Sequence, residues 1–498
     1  LKPSLFKLVV LIAALSGLPA CTVGPTYRRP DIASPPSFAE APITADAGLD
    51  SSSSDLSTWW TAFDDPTLND LVRRALANNL DLETAASRLR QARQQERIAA
   101  GAEYPTLSAG GNALTYNSNK GSSSQGATAS SGGSADGGLP IPAHFNLYTA
   151  GFDASWEVDI FGGTRRSIEA AHADIEAAEW ARRDVEVSLL AEVANAYLTL
   201  RALQARIALG EQELKRQNGV FELIHARRAT GFVTGLDVDQ QSVQVATAAA
   251  QIPQLQAQAK VQVHALGVLI GEQPEALIAS LGPVANPLPP LPPTLPLGLP
   301  SDLLKRRPDI REAERRLAAA SANIGVQQAS LYPKLNLLGM ASFTSPTISN
   351  LFNSDNLGSA GLGMITQPLF NGGRNQAQIR LAKDQYQEAL ISYKASVLTA
   401  FRDCEDALAR YKSEDNRRAS LVQSVKASKN SLKIAEDQYG AGLVTFINVL
   451  QAEVSVLNSQ DQLIQSDAQA LSDLVSVYKA LGGGWSTSPD LKQAARRP

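Results

Sequence analysis

The pentapeptide Thr230-Gly231-Phe232-Val233-Thr234 returns 211 residues later as Ala441-Gly442-Leu443-Val444-Thr445. Outward from these two stretches the match widens. Upstream, Phe161-Gly162-Gly163 recurs as Phe370-Asn371-Gly372-Gly373; downstream, Leu269-Ile270-Gly271 recurs as Ala480-Leu481-Gly482, again 211 apart. Nearer the N-terminus, Asn79-Leu80-Asp81-Leu82 leads to Tyr104-Pro105. Arg307-Pro308-Asp309-Ile310 leads in the same way to Tyr332-Pro333, with an offset of 228. The first copy therefore holds 17 additional residues between the two sets of landmarks, and they fall in the Gly/Ser-rich stretch Asn117–Pro142. Five matches in one order make the chain an internal duplication.

Each copy reads as helix, strand, loop, strand, very long helix, short turn and return helix. The first copy spans 66–282 and the second 301–484, joined by a proline-rich connector, 283–300, expected to be stiff and extended. An extended segment, 21–65, precedes the first copy and a tail, 485–498, follows the second. From Arg374 to Tyr439 no proline or glycine interrupts the chain. Ile379, Tyr386, Tyr393, Ala400 and Ala407 recur every seven residues, and Leu390, Val397, Cys404 and Tyr411 follow a parallel track. Sustained heptads with small residues on the seam predict coiled-coil packing of a helix about 97 Å long at 1.5 Å per residue. The polar run Lys412–Arg418 breaks the seam and predicts a change of packing partner. The first copy predicts a comparable helix from Thr164 to Arg228, and Pro253 predicts a kink in its return helix, where the second copy has Ile464.

The strand signals are weaker. Phe152, Ala154, Trp156 and Val158 alternate with Asp153, Ser155, Glu157 and Asp159, one apolar and one polar face at a period of two. Leu335, Leu337 and Phe343 mark another strand, and Leu362–Phe370 a fourth; the strand after Tyr104-Pro105 is weakened by Gly110 and Gly111. Past the extreme N-terminus no run of about 18 apolar residues occurs, so a membrane crossing would have to be made by strands. Lipid admits strands only in closed barrels, because an open edge leaves backbone groups unsatisfied. Four strands cannot close. Two chains would give eight strands, whose interior side chains fill, whereas three give twelve and leave a lumen. The reading is a trimer, with the loops Asn117–Pro142 and Ser345–Leu357 facing the cell exterior.

Composition narrows the function. The 498 residues are 44% hydrophobic and 6% aromatic with a formal charge of −4, which offers no basic face to nucleic acid. His144, His172, His225 and His264 are scattered, so no metal site is expected. No phosphate loop or nucleophile elbow appears, and neither an enzyme nor a cofactor is expected. Lys2 and Lys7 flank the start of the apolar stretch Leu8–Leu15, followed by Leu18-Pro19-Ala20-Cys21, which reads as a lipoprotein signal peptide, 1–20, ending before an acylated Cys21. Thr22, in place of an aspartate, favours the outer membrane. Cys404 is then alone, and its position on the apolar seam predicts a packed core thiol.

Cys21-Thr-Val-Gly-Pro-Thr-Tyr-Arg-Arg-Pro30, Trp59-Trp60 with Phe63-Asp64-Asp65-Pro66, Ala75-Leu-Ala-Asn-Asn79 and Tyr439-Gly-Ala-Gly442 resemble the TolC family of outer-membrane factors, in its lipoprotein (NodT-type) branch. The resemblance covers nearly the whole mature chain. It implies a mainly α protein with membrane β: a trimeric 12-stranded β-barrel, four strands per chain, continued into a long periplasmic α-helical barrel. It also implies docking to a periplasmic adaptor protein and an inner-membrane efflux pump of the resistance-nodulation-division type. The chain would be the exit duct of a tripartite efflux system, lipid-anchored in the outer membrane.

In that family the helical barrel closes around the turns between long and return helices, here Gly231–Leu236 and Gly440–Thr445. Tyr439 matches a tyrosine of the gating network. Where members carry two aspartates in the second return helix, this chain has Asn448 and Gln451, and its first return helix has Asp237 and Asp239. Threefold symmetry would turn Asp237 or Asp239 into a cation-selective ring of three carboxylates. The alternative gives Asp237 a capping role at its helix N-terminus. Gly231, Gly235, Gly440 and Gly442 would allow tight reversal and close approach of an adaptor tip. A periplasmic coiled-coil adaptor lipoprotein is the main rival; it should show one hairpin inside β segments, not two homologous hairpins. A purely structural coiled-coil lipoprotein would not need the alternating strands.

Overall fold

A computed structural model describes residues 22–40, 56–117, 144–231, 233–282, 288–292 and 300–486. The expected signal peptide (1–20), Cys21, most of the Asn117–Pro142 loop, most of the connector and nearly all of the tail lie outside the described residues.

Asp65 begins the first copy as an N-cap, accepting from the backbone N–H groups of Thr67 (2.8 Å) and Leu68 (3.2 Å), with Pro66 in the first helical position where its missing N–H costs nothing. The helix it opens, α1, runs Pro66–Asn78, and α2 follows at Leu80–Gly101. Strands β1 (Thr106–Asn117) and β2 (His144–Val158) come next, then the long helix α3 (Gly163–Ala229) and the return helix α4 (Gly235–Leu269). Short helices α5 (Ile278–Leu281) and α6 (Pro300–Arg306) lead into the second copy: α7 (Pro308–Ala329), β3 (Lys334–Ser345), β4 (Leu357–Thr366), α8 (Arg374–Gly440) and α9 (Phe446–Ala480).

The two offsets read from the sequence reappear in the elements. Helices α2 and α7 each have 22 residues and start 228 apart; α3 and α8 each have 67, α4 and α9 each have 35, and both pairs start 211 apart. The heptad residues Ile379, Tyr393, Val397, Ala400, Cys404 and Ala407 are buried, and Tyr386, Leu390 and Tyr411 half-buried. At the polar interruption, Arg418 Nε donates to Asp467 at 2.5 Å and Ser466 Oγ to Glu414 at 2.5 Å, so α8 meets α9 there through charge. Burial pushes the Cys404 thiol up to about 12, where it is inert as a nucleophile. Helix α4 runs unbroken through Pro253, so whatever bend the proline introduces does not interrupt it.

The chain divides into two compact units. One comprises Leu1–Arg28, Ala92–Asp174 and Leu317–Ala389 and contains the sheet; the other comprises Arg29–Gln91, Ile175–Arg316 and Leu390–Pro498. The main hydrophobic core belongs to the second unit. Trp59, Trp60 and Phe63 pack there with Leu68 and Leu71 of α1, Leu190, Val193 and Tyr197 of α3, Leu266 of α4, and Leu471, Leu474 and Tyr478 of α9. Trp59 stacks on Tyr478 with ring centroids 5.1 Å apart. The duplication also repeats a tie from a return helix to the helix before the strands. Asn79 Nδ2 donates to the Leu269 carbonyl at 2.9 Å, and Arg307 Nη1, 228 residues on, donates to the Ala480 carbonyl at 3.2 Å, 211 residues on.

The sheet bears out one weak strand signal and corrects the bounds of another. Gly110 and Gly111 do not interrupt β1, which is paired with β2 over all 12 of its residues; the ladder is made by backbone and needs no side chain. The fourth strand is Leu357–Thr366 rather than Leu362–Phe370. It starts as soon as a 3-10 turn ends at Asn356, and it stops short of Pro368, which has no N–H to give a ladder.

Candidate functional site

The sheet is antiparallel in the order β1-β2-β3-β4, so β1 and β4 are its edges. Directly paired residues share a face, and the register therefore sorts every side chain. One face collects Leu107, Ala109 and Ala113; Tyr148, Phe152, Ala154, Trp156 and Val158; Leu335, Leu337 and Phe343; and Leu357 and Ile365. The other collects Thr106, Ser108 and Asn112; Asp153, Ser155 and Glu157; Lys334, Asn336 and Thr344; and Thr366. The separation is incomplete: Leu114, Tyr116, Phe145, Leu147, Leu338, Met340, Leu362 and Met364 lie on the second face, and Thr115, Asn117, His144 and Asn146 on the first. Leu107, Phe152 and Ile365 of the apolar face are 72%, 58% and 72% exposed in a single chain. An apolar face open to the surroundings beside a polar one is the composition of a barrel wall between lipid and water. Lys334 Nζ bonds Glu157 at 2.9 Å on the polar face. Trp156 Nε1 donates to the Glu103 carbonyl at 3.0 Å, placing an indole at the sheet's foot, where amphipathic rings favour a membrane interface. Among the described residues no helix is long and apolar enough to cross a membrane.

The segment that follows Cys21 is fixed to that same foot. Val23 N–H donates to the Phe161 carbonyl at 3.1 Å, while Arg166, itself 5% exposed, holds the carbonyls of Val23 (3.1 Å) and Gly24 (3.2 Å). A side chain at Gly24 would lie 2.5 Å from the Gly325 backbone, and one at Gly162 would lie 2.8 Å from Thr22, so the segment fits only because both positions lack a Cβ.

In the other unit the two turns reverse the long helices. Gly231 has φ +81° and Gly442 φ +72°, left-handed values that cost other residues. At the second turn Leu443 N–H reaches the Gln438 carbonyl (2.9 Å) and Gly442 N–H the Tyr439 carbonyl (3.0 Å), a Schellman closure. Gly440 is the last residue of α8 with open space around it and Gly235 the first of α4, so neither is required by a left-handed backbone. A side chain at Gly235 would instead meet the Arg228 guanidinium at 2.9 Å.

Asp237 caps. Its Oδ2 accepts from Thr234 N (2.8 Å) and from Thr234 Oγ1 (2.7 Å), and Thr234 Oγ1 accepts in turn from Asp237 N, a capping box. Asp239, Asn448 and Gln451 are exposed. Tyr439 is half-buried, 5.5 Å from the Phe446 ring, with the Arg227 guanidinium 5.9 Å above its own ring. Phe446, Val449, Leu450 and Ile224 form a small apolar core beneath it. A groove of about 350 Å³ between α4 and α9 is lined by Gln240, Val243, Gln244, Ile447, Leu450 and Gln451.

Sequence reading missed a buried polar layer just behind these turns. Glu453 of α9, 2% exposed, accepts from Arg216 Nη1 and from Gln217 Nε2 (3.0 Å) of α3; Gln241 of α4, fully buried, donates to Gln217 Oε1 at 2.5 Å. Only a polar residue on an otherwise apolar stripe hinted at it. A second charged recess, about 510 Å³, includes Asp184, Arg307, Asp309, Asp403 and Lys479. Burial, then Asp309 and Glu312, pushes the Asp184 carboxyl up to about 6.

Comparison with known proteins agrees with this geometry. Residues 71–272 and 299–483 match the model of the outer membrane efflux protein family, each match spanning most of one copy. The pyoverdine export outer membrane protein OpmQ of Pseudomonas aeruginosa is 34% identical over 483 residues, covering 97% of this chain and 98% of that protein. The cation efflux system protein CusC of Escherichia coli O6:H1 is 29% identical, covering 96% and 99%. The solved outer-membrane channel OprN superposes with a TM-score of 0.84 at 35% identity, covering 93% of this chain and 100% of that one. By sequence, by duplication and by fold, the chain belongs to the outer membrane efflux protein family and is an outer-membrane efflux channel protein.

Proposed function

We propose that three copies pool their sheets into one 12-stranded barrel and that the assembly is the exit duct of a tripartite efflux system. The observation that carries this is the sheet itself: four strands, two unpaired edges and an exposed apolar face, which lipid tolerates only when edges close on one another. The inner-membrane pump, of the resistance-nodulation-division type, and its periplasmic adaptor would deliver cargo to the turns, with Gly231 and Gly442 shaping the surface the adaptor tip meets. Gly235 and Gly440 would lie within that surface without being needed for its backbone. Acylated Cys21 would anchor each chain, at about 0.8 kcal/mol per buried methylene.

Relatives are named for pyoverdine, toluene and cations, and that spread fits a duct whose cargo is chosen by the pump. Of the two carboxylates at the first turn, Asp237 is engaged with Thr234 and Asp239 is free to face an aperture, so the ring falls to Asp239, with Tyr439, Asn448 and Gln451 around it in the gate. Purified protein in planar bilayers should conduct, with a native mass of three chains. Asp239→Ala should lower cation preference, and an unchanged preference removes the ring. Palmitate labelling should be lost in Cys21→Ser; retained label removes the anchor.

A further inference from the structure

At the foot of the sheet a contact made inside the chain has a counterpart that one chain cannot make. Phe161 lies three residues past the end of β2, and Tyr332 lies two residues before β3. Their rings stack with centroids 4.6 Å apart and planes at 20°, bolting together the two adjacent strand–helix junctions. The counterparts are Phe370, four residues past β4, matched through the Phe-Gly-Gly motif at an offset of 209 rather than 211, and Tyr104, two residues before β1, at the offset of 228. Both are bare: Phe370 is 92% exposed, the preceding Leu369 93%, and Tyr104 69%. No large apolar side chain among the described residues is more exposed than Leu369 and Phe370.

The repeat itself says where this pair belongs. Thr106 pairs with Ser155; moved by the offsets of 228 and 211 these become Lys334 and Thr366, and those two residues pair in the sheet. The duplication thus carries strand geometry from the β1–β2 boundary to the β3–β4 boundary. The same operation on the β2–β3 boundary yields a boundary between β4 and β1. Those strands are opposite edges of one chain's sheet, so such a boundary can form only between β4 of one copy and β1 of another. Their ends are compatible, because β4 finishes and β1 starts at the same end of the sheet as the Phe161–Tyr332 stack.

We infer that Phe370, with Leu369 beside it, packs on Tyr104 of the next copy in the assembled channel, repeating between chains the stack that Phe161 and Tyr332 make within one. The inference rests on the pooled barrel proposed above and adds the residues that seal each seam at its foot. It accounts for two adjacent, almost fully bare apolar side chains at a strand–helix junction whose counterpart is packed.

The test places the photo-reactive residue p-benzoylphenylalanine at position 370 of the full-length protein in membranes, with the same probe at 161 as control. Illumination should give an interchain adduct whose peptide maps to Tyr104, whereas the control should give an intrachain adduct at Tyr332. Adducts from 370 that map elsewhere, or none, with a native mass of three chains, overturn the seam contact and leave the trimer standing. A native mass of one chain overturns both. A second measurement does not depend on the probe. Phe370→Ala and Tyr104→Ala should each shorten the half-life of the oligomer in SDS by about tenfold, with Phe370→Tyr restoring it. The double variant should be no worse than either single one; losses that multiply overturn the pairing.

Discussion

The two turns that reverse the long helices begin from one pentapeptide and are held by different means. The first is closed by a capping box, Thr234 with Asp237. At the second, Thr445 makes no side-chain cap bond and Asn448 stands where the box would need a carboxylate. There Tyr439 leans on Phe446, while the bond from the left-handed glycine's N–H to the carbonyl three residues back is common to both turns, Gly231 to Arg228 at 2.9 Å and Gly442 to Tyr439 at 3.0 Å. What the copies share is backbone, down to the left-handed glycine; what they do not share is the chemistry that secures it. The tie from Asn79 to the Leu269 carbonyl and its echo from Arg307 to the Ala480 carbonyl show the same division, an amide in one copy and a guanidinium in the other.

If the turns are separately held but jointly braced by the polar layer behind them, the largest effect should come from the brace. Glu453→Ala removes the acceptor of Arg216 Nη1 and one of the two acceptors of the buried Gln217 Nε2, leaving both side chains only Glu213, and should cost about 2–3 kcal/mol. Hydrogen exchange should speed up in both return helices; acceleration in α9 alone would show the hairpins to be independent. Next come the glycines. Gly442→Ala should destabilise by about 1–2 kcal/mol because of its left-handed φ, whereas Gly440→Ala should be neutral or gain up to about 1 kcal/mol. Denaturant midpoints of the detergent-solubilised protein compare them, and equal losses would refute the distinction. Thr234→Ala should cost about 1 kcal/mol and Thr445→Ala close to nothing, by the same midpoints. The smallest effect is a gain: Asn448→Asp should build the missing box and add about 0.5 kcal/mol, which Thr445→Ala in the same chain should abolish.

Much of this was legible in the residues. The 211-residue offset gave the paired long helices and return helices, because glycine and proline punctuation survives where side-chain identity does not. The heptad track from Ile379 to Ala407 gave the buried seam. Thr234 and Asp237, three apart before an apolar run, were readable as a cap; whether either first-turn aspartate also faced a pore was not, since that depends on neighbours the chain does not contain. The start of β4 was hidden because Gly358-Ser359-Ala360-Gly361 has no alternation to read, and its pairing is set by the ladder from β3. Four glycines at the turns looked alike in sequence, and only φ separates Gly231 and Gly442 from Gly235 and Gly440. Glu453 was hidden for another reason: its partners Arg216 and Gln217 lie more than two hundred residues away.

The clasp that Arg166 makes on Val23 and Gly24 sets a vertical datum. Thr22 already touches Gly162 at the base of the sheet, and one peptide unit, about 3.8 Å between Cα atoms, is all the chain that separates it from Cys21. An acyl group on that cysteine has no leash to pay out. With the acylation proposed above, it would enter the bilayer near the height where strand gives way to helix, so the fatty chains would act as a depth gauge for the barrel rather than as a mooring line.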